Sequence, residues 1–106
     1  MAIPSKSVRI RRLVLDVLKP HRPRIDVLAT AIGELEYVES VNIVRTETDS
    51  STEGITVTIV GPNLNFDDIE EVMKDYGTSV HSVDEVVVGE KIINTVLIPN
   101  EEPFKP

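Results

Sequence analysis

The strict alternation of apolar and polar residues at positions 55–59 is the feature that most constrains the fold of this chain. Ile55, Val57 and Ile59 share one parity, and threonines occupy the other. Because successive side chains of a β-strand point to opposite faces of a sheet, this pattern predicts a strand with a core on one face only. Only 4% of the residues are aromatic, so the core must consist mainly of Val, Ile and Leu, which pack well on a pleated sheet.

The remaining periodicity predicts three further strands and two helices around this strand. Apolar residues alternate over 8–18, 37–48 and 79–88, and they recur at helical spacing over 23–35 and 65–77. The polar segment 49–54 has the composition of a hairpin turn. Asn65 predicts the N-cap of the second helix, and Gly77 predicts its end.

The order strand–helix–strand–strand–helix–strand predicts an α+β fold, a ferredoxin-like βαββαβ sandwich. Two split strand–helix–strand units give a four-stranded antiparallel sheet with two helices on one face. The first and third strands are expected in the centre. This domain is predicted over residues 8–98, between a flexible arm at 1–7 and a disordered tail at 99–106. The apolar run at 92–98 predicts a short extra C-terminal strand, which covers a sheet edge or pairs with a neighbouring chain.

Composition and charge exclude several classes of function. A formal net charge of −7 argues against a protein that binds nucleic acid by neutralising phosphates. The sequence has no cysteine, which excludes disulfides, thiolate metal sites and cysteine nucleophiles. No segment approaches the roughly 20 apolar residues that span a bilayer, and no signal peptide is recognisable. We therefore expect a cytoplasmic protein that binds neither nucleic acid nor membranes.

The sheet face opposite the helices predicts self-association. It would carry a mixed set of side chains: Val14, Asp16, Leu18, Thr56, Thr58 and Val60. This open face is more apolar than a typical solvent-exposed surface and more polar than a typical core. Such faces, like open edge strands, are normally hidden by a partner or a ligand. A homo-oligomer is therefore expected.

Ionisable residues interrupt the fourth predicted strand. Strict alternation gives it no purely apolar face, so a bulge near Asp84 is predicted to reset the phase and to bring Asp84 beside Asp16 on the open face. Three interpretations stay open: a charged edge strand that opposes aggregation, a hydrogen-bonded subunit interface, or a ligand site. The candidate ligand or interface residues are Asp16, His81, Ser82, Asp84 and Glu85. Asp16, Asp84 and Glu85 offer the oxygen ligands that calcium or magnesium prefers.

No catalytic motif is present, and we expect a protein that is not an enzyme. The glycines form no phosphate-binding loop, and no serine lies in a nucleophile-elbow pattern. The enzymatic alternative is an acid–base pair of His81 and Asp84, which requires a shared cavity. His21 is expected to be a solvent-exposed loop residue without a fixed carboxylate partner. The acidic hairpin residues Glu47, Asp49 and Glu53 are expected to form a solvated tip.

Several segments together carry a resemblance to a known family. They are residues 15–21 with Pro23, residues 41–43, the acidic hairpin at 47–49, and above all Tyr76-Gly77 with the run from His81 to Gly89. In these segments the chain resembles the archaeal proteins of domain of unknown function 211. The resemblance covers about residues 9–90. It implies a ferredoxin-like fold and a homo-oligomer in a ring, and it supplies no catalytic residues. A structural or small-ligand-sensing role is expected, with small molecules or cations bound in crevices between subunits.

Overall fold

A computed structural model describes residues 8–96 and contains the predicted elements in the predicted order. They are β1 (Ile10–Pro20), α1 (Ile25–Gly33), β2 (Ser40–Thr48), β3 (Thr52–Val60), α2 (Phe66–Asp75) and β4 (Ser79–Val88). The strands form one antiparallel sheet in the order β2-β3-β1-β4. The predicted α+β, ferredoxin-like sandwich is confirmed, with β1 and β3 in the centre.

The core follows the alternation of the two central strands. Leu13, Leu15 and Val17 of β1 are buried on the helix side, and they pair with the buried Ile59, Val57 and Ile55 of β3. Each such side chain contributes about 1.5–3 kcal/mol through burial. The helices cover this layer with four buried side chains: Leu28, Ile32, Ile69 and Met73. No helix in the described part of the chain is long and apolar enough to cross a membrane.

The ends of α2 agree with the sequence signals. The side chain of Asn65 accepts a hydrogen bond from the Asp68 amide at 3.1 Å, which confirms the predicted N-cap. Gly77 follows the helix with a φ of 75°, a left-handed conformation that glycine adopts without a steric cost.

The paired strands β1 and β3 extend further toward the β1–α1 loop than the sequence predicted. β1 continues past Leu18, because Lys19 and Pro20 still pair with Glu53 and Thr52 at the start of β3. The segment predicted as a hairpin is therefore partly strand.

The predicted extra C-terminal strand is wrong over residues 92–96, which belong to no strand. Gly89 ends β4 with a φ of 134°. The guanidinium of Arg11 then donates hydrogen bonds to the carbonyl oxygens of Gly89 and Glu90. These contacts hold the chain where it leaves the sheet, so the apolar run does not continue the ladder. Residues 97 and 98 lie outside the described residues, as do the predicted arm and tail.

Candidate functional site

β4 is irregular where the sequence predicted irregularity. Its register against β1 steps from Glu85 to Val83 between consecutive residues of β1, and again from Ser82 to Val80. Asp84 and His81 are the residues left without a partner in β1. The predicted bulge near Asp84 is confirmed, and a second bulge lies at His81. Bulges of this kind bend an edge strand and re-aim its side chains.

The two bulges sort the side chains of β4 between the faces of the sheet. Ser82 lies opposite Asp16, and Glu85 lies opposite Val14, so both belong to the open face. Val83 lies opposite Leu15 and belongs to the helix side. Phase resetting therefore places Ser82 and Glu85 on one face and Val83 on the other, which strict alternation could not do.

A pocket of about 290 Å³ lies on the open face near the end of β1. Its lining consists of Asp16, Val17, Leu18, Glu47, Gly54 and His81. Two of the predicted site residues, Asp16 and His81, are thus brought together. The bulge at His81 explains its position. In regular alternation His81 would point to the face opposite that of its neighbour Ser82, which lies on the open face. We call this feature the open-face pocket.

Glu47 is a pocket residue that sequence reasoning missed. Strict alternation would place Glu47 on the same face as Arg45, but the register of β2 shifts between these two residues. The shift places Glu47 opposite Gly54, on the open face. The surrounding sequence is polar on both parities, so no hydrophobic pattern signals this shift.

The other three predicted site residues, Ser82, Asp84 and Glu85, form hydrogen bonds or ion pairs with residues of the same chain. The hydroxyl of Ser82 donates to Oδ1 of Asp84 at 2.7 Å, which keeps Asp84 on the side of the strand that faces Asp16. Oε1 of Glu85 lies 3.4 Å from Nε of Arg12, and its Oε2 accepts a hydrogen bond from Thr95 at 2.8 Å. Glu85 therefore anchors the segment that follows β4.

The three predicted metal ligands do not form a complete site in one chain. Among residues 8–96, no group of three or more His, Cys, Asp or Glu side chains is placed to hold a metal ion. Asp84 does not line the open-face pocket, whereas His81 does. The structure thus does not bring the His81–Asp84 pair together in this cavity. Binding of calcium or magnesium stays a prediction.

A second ionisable cluster lies on the helix side, at the end of the sheet nearest the β1–α1 loop. We call its members, Lys19, His21, Arg45 and Glu53, the loop cluster. The side chain of Lys19 is fully buried. Its ammonium donates to the carbonyl oxygens of Pro20 at 2.8 Å and His21 at 3.4 Å, and to that of Pro23. It also lies 3.2 Å from Oε1 of Glu53.

Glu53 is the centre of the loop cluster. Its Oε2 lies 3.2 Å from Nδ1 of His21 and 3.9 Å from the guanidinium of Arg45. The hydrogen bond with His21, followed by that from Lys19, lowers the pKa of Glu53 below its ordinary value. The expectation of a solvated acidic tip is wrong for Glu53, which is buried. His21 is exposed as expected, but the expectation that it has no carboxylate partner is wrong.

Sequence reasoning missed the loop cluster although a signal was available. Lys19 follows the alternating series of buried residues in β1, and Glu53 precedes the corresponding series in β3, so both side chains point toward the helices. Opposite charges at the ends of two apolar series on adjacent strands indicate a buried ion pair. The prolines after Lys19 obscured this signal, because they suggested that the strand had already ended.

A broader groove of about 500 Å³ lies at the opposite end of the sheet, beside the start of α2. Its lining includes Ile10, Tyr37, Leu64 and Phe66. The hydroxyl of Tyr37 lies 3.4 Å from both the carbonyl oxygen of Asn65 and the carboxylate of Asp68. Burial, followed by the charge of Asp68, raises the pKa of Tyr37. None of the predicted site residues lines this groove.

Exposed apolar side chains gather along β4. On the helix side of this strand, Val83, Val86 and Val88 are 45%, 46% and 50% exposed. The following segment adds exposed Ile92, Ile93 and Val96. We call these six residues the β4 edge. They account for six of the eleven large apolar residues that are exposed in the described part of the chain.

Comparisons with known proteins give a consistent picture. The model of the DUF211 family, described as Uncharacterized ArCR, matches residues 11–102. An uncharacterised protein of Methanocaldococcus jannaschii, MJ0319, is 48% identical over 92 residues, which span 87% of this chain and 95% of the relative. Neither description states an activity, a ligand or a partner.

Proposed function

The chain belongs to the DUF211 family, as its sequence motifs indicated, and from this premise we propose that it is a non-enzymatic, cytoplasmic homo-oligomer with a structural or small-ligand-sensing role. The observation that carries the proposal is the β4 edge. Apolar patches of this kind are usually covered in soluble proteins. A second copy of the chain is the occupant that the proposal commits to, because the open face and both edge strands are present in every copy.

The β4 edge favours contact through side chains. A regular edge strand can extend its hydrogen-bond ladder into a neighbouring chain, but two bulges interrupt β4. The valines on the helix side of β4 provide an apolar surface for such a contact, whereas Ser82 and Glu85 lie on the open face of the same strand. A ring is consistent with this arrangement, since a contact between two different surfaces of identical chains closes into a ring or extends into a filament.

The open-face pocket supports the ligand-sensing part of the proposal. Its lining carries two carboxylates and one imidazole, and neither lysine nor arginine. Such a lining favours small molecules that carry positive charge or hydrogen-bond donors. Subunit contacts over the open face would deepen the pocket, because β1 and β3 form its floor.

Size-exclusion chromatography with light scattering tests the assembly. We expect a mass that is a multiple of the monomer mass at micromolar concentration. A stable monomer under these conditions would remove the proposal, since the β4 edge would then be an ordinary exposed surface.

A divalent-cation module is the second candidate. The observation in its favour is that Asp16 lies opposite Ser82, which is hydrogen-bonded to Asp84. Three oxygen-bearing side chains are thus neighbours on the open face, and oxygen is the ligand that calcium and magnesium prefer. A second copy of the chain would supply the missing ligands.

Thermal unfolding with and without calcium or magnesium separates the two candidates. A cation bound only by the folded protein raises the unfolding temperature. Asp84→Asn should abolish that rise, whereas Asp75→Asn, on the far end of α2, should keep it. No rise at millimolar calcium or magnesium, or a rise that Asp84→Asn leaves intact, would eliminate the cation module.

A further inference from the structure

The imidazole of His21 faces hydrogen-bond acceptors with both nitrogens. Nδ1 lies 3.2 Å from Oε2 of Glu53, and Nε2 lies 3.1 Å and 3.2 Å from the carbonyl oxygens of Asp49 and Ser50. A neutral imidazole carries one N–H and can donate from one nitrogen only. All three oxygens accept, so the full set of contacts requires the doubly protonated imidazolium.

These contacts join two segments that are far apart in sequence. His21 belongs to the β1–α1 loop, whereas Asp49 and Ser50 form the tip of the β2–β3 hairpin. The tip is held as one unit, because the carboxylate of Asp49 accepts from the amides of Ser51 and Thr52 at 3.1 Å and 3.0 Å. A change at His21 therefore acts on the whole tip.

The charges around His21 allow it to lose its proton without disturbing the buried pair. Glu53 keeps two other partners when His21 is neutral. The ammonium of Lys19, in β1, lies 3.2 Å from its carboxylate, and the guanidinium of Arg45, in β2, lies 3.9 Å from it. The carboxylate of Asp49 accepts hydrogen bonds from amides of its own hairpin. At the start of α1, Arg24 and Asp26 pair with each other at 2.9 Å. The neighbouring elements thus satisfy their own charges, and only the contacts of His21 depend on its proton.

We propose that His21 is a pH-sensitive clamp that fixes the β2–β3 hairpin to the β1–α1 loop when protonated and releases it when deprotonated. The proton leaves to solvent, and Nε2 or Nδ1 then presents a lone pair to an acceptor oxygen. Glu47 and Gly54 flank the clamped tip and line the open-face pocket. The clamp therefore also adjusts the rim of this pocket, a consequence that rests on the proposed ligand-sensing role.

The sign of the pH dependence follows from the contacts. The hydrogen bond to Glu53, aided by those to the Ser50 and Asp49 carbonyls, raises the pKa of His21 above its ordinary value of 6.5. The stability that the clamp adds is fully present below about pH 6.5 and is lost as the pH rises through the folded-state pKa.

Nuclear magnetic resonance of the full chain from about pH 5 to 9 tests the clamp, because this range brackets histidine titration. The chain has two histidines, and His81→Gln identifies which signal belongs to His21. We expect the His21 midpoint to lie above 6.5, and the amide signals of Ser50 and Ser51 to shift with the same midpoint. His21→Gln should make those amides insensitive to pH in this range, whereas His81→Gln should leave their titration intact.

Two results would overturn the clamp. One is a His21 midpoint at or below that of an unstructured peptide. The other is a titration of the hairpin amides that persists in His21→Gln. Neither readout involves a ligand or the oligomeric state, so the clamp stands or fails separately from the proposed function.

Discussion

The loop cluster and the ionisable residues of β4 each combine a histidine with carboxylate chemistry, but they lie in opposite environments. Lys19 and Glu53 lie on the inward parity of the two central strands, where every charge has a partner within the chain. His81 and Asp84 lie at bulges of an edge strand, where they are exposed to solvent. The contrast teaches that position in the sheet, rather than the presence of charge, decides whether such residues stabilise the fold or remain available to a partner.

The physical reason is the cost of removing charge from water. A buried ammonium without partners is strongly unfavourable. The ammonium of Lys19 is accordingly surrounded by three carbonyl oxygens and one carboxylate. A group at an exposed edge stays hydrated and has no such requirement. Its side chain is free to exchange water for a ligand or for a second subunit.

Removing the buried charge should have the largest effect. Lys19→Met removes the ammonium that contacts three carbonyl oxygens and Oε1 of Glu53, and we expect it to lower the free energy of unfolding by about 3–5 kcal/mol. Urea unfolding measures this change. Lys91→Met, at an exposed position, should stay within about 0.5 kcal/mol of the parent. Equal losses in the two variants would contradict the structural role of the loop cluster.

Charging the β4 edge should affect assembly. Val86→Lys puts an ammonium into the proposed subunit contact, and we expect the dissociation constant of the oligomer to rise at least about tenfold, a change of about 1.4 kcal/mol. Light scattering over a dilution series gives this constant. Val27→Lys makes the same substitution at a similarly exposed position of α1. If Val27→Lys dissociates the oligomer and Val86→Lys does not, the contact lies on the helices.

Two hydroxyl groups provide the smallest and most closely matched comparison. The hydroxyl of Thr78 is buried and donates to the carbonyl of Met73 at 2.8 Å, whereas that of Ser82 makes an exposed bond of 2.7 Å. Thr78→Val should cost about 0.5–1.5 kcal/mol, because the buried carbonyl of Met73 loses one hydrogen bond and keeps those from the amides of Tyr76 and Thr78. Ser82→Ala should change stability by less than about 0.5 kcal/mol. Similar losses would mean that the β4 residues also support the fold.

The sequence was sufficient for the fold and for the irregularity of β4. Regular alternation in the central strands predicted the sheet, and the failure of alternation at Asp84 predicted the bulge. The loop cluster required a different inference, in which Lys19 and Glu53 are read as the inward ends of two paired strands. The contacts of His21 with the hairpin tip join positions 28 and 29 residues apart, and they depend on loop geometry that local patterns do not contain.

The position of β1 has a consequence for synthesis of the protein on the ribosome. β1 is made first, yet one of its two neighbours in the sheet is β4, which is made last. A nascent chain that has released β1, β2 and β3 can form a three-stranded sheet whose β1 edge is still open. That edge is closed only when residues 79–88 leave the exit tunnel. The interval in between is the time at which a chaperone, or a neighbouring nascent chain, competes with β4 for the same row of backbone groups.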